Sequence, residues 1–157
     1  MSTLAITAAH RAARNQSSID LASAGAQASS IRLYTAADGT LLAVCQLASP
    51  CATLTTEGRI ALQPSAGNDM PAARPPEGGQ APSEGSATAA GVERGGNMVL
   101  ASGAATWAEW CNGDGAAIAG GAVTDETGPG PFKLAGTAGT QLYQGGLVLL
   151  ATPALIG

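Results

Sequence analysis

From residue 29 onward the large apolar residues recur at every second position, a period that confines the chain to extended strands with one buried face. In SSIRLYT, Ile31 and Leu33 alternate with Arg32 and Tyr34. Asp38-Gly39 follows as a hairpin turn, since glycine readily takes positive φ. The return segment TLLAVCQLA sets Leu41, Ala43, Cys45 and Leu47 on one face and Leu42 and Val44 on the other. Apolar residues on both faces mark a central strand. CATLTT, a Glu57-Gly58 turn and RIALQ make a second hairpin. The same texture returns in AATWAEWC, a turn at NGDG, AAIAGGAVTDE, a proline-rich bend at 128 to 131, FKLAGT and GGLVLLATPAL. Short strands joined by glycine turns at this spacing indicate an all-β sandwich or barrel rather than βαβ units. No tandem repeat is present, which argues against a solenoid.

Two stretches depart from that period. LAITAAHRAARNQSSIDLASAGAQ (4 to 27) is the one segment suited to a long helix, because Ala and Arg favour helices and Gly25 stands where a stop belongs. Ile6, Ala9, Ala13 and Ile19 give it a thin apolar stripe, and the serines at 17 and 18 weaken its middle. Residues 63–97 are rich in Pro, Gly, Ala and Ser and contain five of the nine prolines. Their composition cannot bury enough apolar surface to form a core. A connection of that length usually means a functional loop or a disordered insertion, and the expectation is an extended arm or surface loop that becomes ordered against another subunit. The expected organisation is therefore an N-terminal helical arm, 1–28, and a β-sandwich domain, 29–157, with a low-complexity insertion at 63–97.

Several functional classes are disfavoured by composition. The 157 residues suffice for one domain with a proper core. Net charge is −4 and Lys133 is the one lysine, so the clustered cations that grip nucleic acid are missing. His10, Arg11 and Arg14 form the nearest basic group, which suits a solvated helix face. Cys45, Cys51 and Cys111 are odd in number and lack C-x-x-C spacing, which predicts buried free thiols rather than a zinc site or disulfides. The N-terminus lacks the pattern of a signal peptide, and GGLVLLATPALIG is too short to cross a bilayer. A soluble, cytosolically made protein without a membrane partner is the expectation. Charged residues are only 11% and aromatics 3% of the chain. So little charge is unusual on the surface of a free monomer and favours a subunit whose surface is covered by partners.

Reactive constellations are equally sparse. The single histidine, His10, lies in the helical segment, remote in sequence from the cysteines, and no G-x-S-x-G elbow occurs. The spacing before Lys133 in GPGPFK is wrong for a phosphate loop. Glu109 and Asp114 flank the tryptophans in the manner of a glycosidase carboxylate pair, yet Asp114 is explained by its turn. Asn112, Asp114, Asp125 and Glu126 lack the repeated acids of a calcium loop. The expectation is a non-enzyme with no cofactor, no metal and no catalytic residues. Trp107 and Trp110 fall on opposite strand faces by parity, Glu109 sharing the face of Trp107. Trp107 is expected as the core anchor and Trp110 as a surface or interface residue.

The order of these signals resembles a family of small structural proteins of tailed bacteriophages. Its pattern comprises a Leu-Tyr strand, a G-x-A-x-W strand, a D-G turn, a G-x-V return and a closing Gly-Gly strand. The matching positions are Leu33-Tyr34, Gly103, Ala105 and Trp107, Asp114-Gly115, Gly121 and Val123, and Gly145-Gly146. Two departures stand out: Ala108 replaces the aromatic that often follows the tryptophan, and the 63–97 insertion is extra. The resemblance implies a jelly-roll-like β-sandwich similar to the cement or decoration proteins that brace phage capsids, commonly as trimers. It implies a virion protein on the capsid surface, assembled in the host cytoplasm, with the major capsid protein and its own copies as partners. Candidate interface residues are Arg11, Arg14, Trp110, Arg74 and Arg94. The alternative is a tail-fibre or baseplate-associated module that binds a host glycan through an exposed tryptophan.

Overall fold

The computed structural model describes residues 6–65, 97–136, 139–151 and 155–156. The expected insertion at 63–97, with Arg74 and Arg94, therefore lies mostly outside the described residues.

One helix, α1 (Ala8–Ala22), opens the fold. Thr7 caps it by accepting from the backbone N–H of His10, and Ser23 ends it, two residues before the positive-φ Gly25. The helix runs unbroken through Ser17 and Ser18. Ile19 and Ala22 enter the core of the protein. The rest of the chain is mostly strand: β1 (Ser30–Tyr34), β2 (Leu41–Leu54), β3 (Ile60–Pro64), β4 (Gly103–Ala104) and β5 (Trp107–Cys111) come first. They are followed by β6 (Ala117–Asp125), β7 (Phe132–Ala135), β8 (Gln141–Leu142), β9 (Leu149–Leu150) and β10 (Leu155–Ile156).

Eight strands form one mixed sheet in the order β10-β3-β2-β1-β5-β6-β7-β9, and β4 pairs with β8 in a small second sheet. The final segment of the chain supplies both ends of that order, β9 beside β7 and β10 beside β3. β9 and β10 are close in sequence, and the sheet is nearly closed. Closure leaves few open ladders for unwanted pairing.

The hairpins fall where alternation places them. Ile31, Leu33, Ala43, Cys45, Ala108 and Trp110 are all buried on the inner face, cross-strand from one another. The central position of β2, between β1 and β3, agrees with apolar residues on both its faces. The two early turns differ physically. Gly58 has φ +75°, as a glycine turn requires, whereas Gly39 does not take positive φ. Gly39 is instead demanded by space, because a Cβ there would lie 2.6 Å from the backbone nitrogen of Ala36. The turn is held by Thr35, whose hydroxyl accepts from Thr40 N–H at 3.0 Å.

The connection from β6 to β7 is unusual. These strands are parallel, with Val123 opposite Phe132, yet only residues 126–131 join them. Parallel neighbours normally need a crossover of about a dozen residues or more. Here the Asp125 carboxylate accepts from Thr127 N–H, the Thr127 hydroxyl and Gly128 N–H, starting a sharp reversal. Gly130 then passes so close to Ala122 that a Cβ would sit 2.8 Å from its carbonyl oxygen. The bend seen in the sequence at 128 to 131 is thus a return along the face of β6.

Candidate interaction surface

The tryptophans occupy opposite faces, as parity requires, but the roles expected of them are exchanged. Trp110 is 1% exposed, opposite Ile31, and cannot be an interface residue of the folded chain. Its indole N–H donates to the Ser29 hydroxyl at 2.9 Å, and that hydroxyl donates to the Cys111 carbonyl at 2.8 Å. A buried indole needs such an acceptor, and the near-buried Ser29 supplies it. Trp107 is half-buried on the outer face. It lies over Gly120, where a Cβ would come within 2.8 Å of its ring. Bare glycine backbone thus seats the indole.

The remaining expected interface residues separate. Arg11 is half-buried and donates to the Glu57 carbonyl at 2.9 Å, while Asn15 donates to the Gly58 carbonyl at 2.7 Å. Both side chains fasten α1 to the β2–β3 turn. Arg14 is exposed on the same helix. Arg74 and Arg94 lie outside the described residues; of the three described candidates, Arg11 and Arg14 share α1 and Trp110 lies apart from them in the core.

Trp107 belongs to a block on the outer face of β1 and β5. Tyr34 stands directly opposite Trp107, and Arg32 opposite Glu109. All four are half-buried. Burial, followed by the Glu109 carboxylate, raises the pKa of the Tyr34 hydroxyl, and Arg32 acts in the opposite sense. The block combines two aromatic rings with one cationic and one anionic side chain.

The cysteines are all free and buried. Desolvation pushes the Cys45 thiol up to about 12, which keeps it neutral and unreactive. Cys111 is also raised, first by burial. Among the described residues, no group of three or more His, Cys, Asp or Glu side chains is placed to hold a metal ion. No described helix is long and apolar enough to cross a membrane.

The most exposed apolar surface lies elsewhere, where residues 97–100 meet residues 145–149. Met98 pairs with Leu147 in an antiparallel bridge. Val99 N–H donates to Gly146 O and Gly145 N–H to Val99 O, both at 2.9 Å, and Val148 N–H donates to Asn97 O at 2.9 Å. Gly145, at φ +80°, forms the bulge that starts this ribbon. Val99 and Val148 point inward and are buried, so their neighbours face outward. Met98 is 38%, Leu100 48%, Leu147 73% and Leu149 57% exposed, with Tyr143 at 70% beside them. Of the seven exposed large hydrophobics described, these are five; Ile6 and Leu21 are the others. No Asp, Glu, Lys or Arg occurs anywhere in residues 97–106 or 139–151.

Sequence reasoning passed over this surface. The alternation in NMVLASG and GGLVLLA shows that Met98 and Leu100 share one face and Leu147 and Leu149 another. Their meeting on a single ribbon depends on long-range pairing, which alternation does not encode.

No protein-family profile matches the chain, and neither a curated protein nor a solved structure shows a match.

Proposed function

We propose that this chain is a bacteriophage virion structural protein that binds and braces the capsid shell as a cement or decoration protein. The observation that carries the reading is the exposed, charge-free apolar ribbon formed by residues 97–100 and 145–149. Contiguous apolar surface of this kind on a soluble fold marks an interaction site. Few charges surround it, so the surface suits permanent coverage in an assembly better than free solution. The nearly closed sheet, which we read as a jelly-roll-like body, presents that ribbon on a rigid frame. The major capsid protein and further copies of this chain are the partners of this role. The test is co-sedimentation of purified protein with shells that lack it. Binding that Leu147→Lys with Leu149→Lys abolishes supports the reading, and failure of the parent protein to bind refutes it.

A second reading, a tail-associated module that binds a host glycan, is favoured by the Tyr34–Trp107 and Arg32–Glu109 block. Aromatic rings can stack on the apolar face of a sugar while the neighbouring charged side chains reach its hydroxyls. Glycan binding lost on Trp107→Ala, with the protein located at the tail tip, would favour this reading over the first.

A further inference from the structure

We infer that the ribbon's occupant is a second copy of this chain, docked face to face about a two-fold axis. This deepens the proposed role and rests on it only in taking the ribbon as an assembly surface. Met98 and Leu147 form the centre, as an antiparallel pair. They are flanked by hydrogen bonds to their neighbours rather than joined by bonds of their own, the kind of pair whose side chains lie closest. Leu100 stands two residues beyond Met98, and Leu149 two residues beyond Leu147 on the oppositely directed strand. The stripe therefore has a leucine at each end and an apolar pair in the middle. It presents the same pattern from either end. A copy laid antiparallel across it sets leucine on leucine and pair on pair, which is the self-complementarity an isologous contact requires.

Charge and area point the same way. Neither contributing segment carries a charged residue that would select an oppositely charged partner, and Lys133, on the adjoining strand β7, stands beside the Leu149 end. The four ribbon side chains and Tyr143 expose apolar area on the order of a few hundred Å². Uncharged polar residues adjoin them, including Asn97, Ser102 and Gln144, whose backbone N–H donates to the Ser102 hydroxyl at 2.9 Å. A stable contact buries roughly 800 Å² per partner, so the uncharged polar rim would contribute the remainder around the apolar centre. A two-fold contact also differs in symmetry from the trimer implied by the phage resemblance.

Sedimentation equilibrium of the full chain, from low to high micromolar concentration, tests the inference. The parent protein should show the mass of two chains, or a higher even number. Leu147→Lys with Leu149→Lys should weaken association by about a hundredfold or more, because two buried leucines are exchanged for charges. Leu21→Lys, an equally apolar exposed site on α1, should leave association unchanged. Unaltered thermal melts would show that the ribbon variant folds. As an independent measurement, Leu147→Cys should form an intermolecular disulfide under mild oxidation and Leu21→Cys should not. A single-chain or three-chain mass, a ribbon variant that keeps the parental mass, or no excess cross-linking of Leu147→Cys overturns the inference. Monomers that still bind capsid shells through the ribbon would overturn self-pairing and leave the proposed function standing. Two-fold pairs with no affinity for shells would do the reverse.

Discussion

Trp110 and Trp107 lie three residues apart and contribute to stability by different physics. Trp110 fills the inner face and has its N–H satisfied by Ser29, whereas Trp107 rests on Gly120 with part of its ring in solvent. Trp110→Ala should cost about 3–5 kcal/mol in denaturant unfolding, the range for removing a buried large aromatic. Trp107→Ala should cost under about 2 kcal/mol. Equal losses would contradict the assignment. Burial of Cys45 leads to a second expectation: iodoacetamide should leave it unmodified in the native protein and alkylate it after denaturation. Native labelling of Cys45 at the rate of a free thiol would show that the inner face is open. The opposition of the two tryptophans was legible from parity, but the assignment of each to core or surface was not. Glu109, placed by parity on the face of Trp107, marks that face as the outer one, yet the larger pull of a tryptophan toward a core outweighs that cue in the sequence. The reason for Gly120, and the hydroxyl of Ser29 beneath Trp110, depend on partners that local pattern does not specify.

At the scale of elements, glycine and short polar side chains set the directions of the chain. Gly58 takes positive φ, and a Cβ there would lie 2.6 Å from the Ala8 carbonyl oxygen, so its turn receives α1 at close range. Gly58→Ala should destabilise the fold by roughly 1–3 kcal/mol through backbone strain and loosened helix docking. A thermal melt matching that of the parent would contradict this. The β6–β7 reversal depends on Asp125, whose carboxyl is held below its ordinary 3.8 first by the Thr127 hydroxyl. A depressed folded value means that the stabilisation is fully present above the ordinary value. It is lost as pH falls through the folded one. Asp125→Asn should therefore lower Tm at neutral pH, with the gap to the parent closing in acid. A gap that widened in acid would reverse the assignment. The hairpins around β1, β2 and β3 were legible because alternation and turn residues are local signals. The parallel pairing of β6 with β7 was not, since a six-residue return departs from the usual length of such connections.

For the whole molecule, the sheet is nearly closed because β9 and β10, close in sequence, pair at its two ends, and the ribbon of residues 97–100 and 145–149 includes the start of β9. The all-β class followed from the period of two. The surface that matters most for the proposed role did not, since it is assembled from two segments more than forty residues apart. The proposal is that copies joined through this surface brace a capsid shell. Cryo-electron microscopy of intact particles that contain the chain tests it most directly. Density for the nearly closed sheet is expected on the shell, with Met98, Leu100, Leu147 and Leu149 covered by a neighbouring subunit. Density confined to the tail tip, or shell-bound protein whose ribbon faces open solvent, would contradict it.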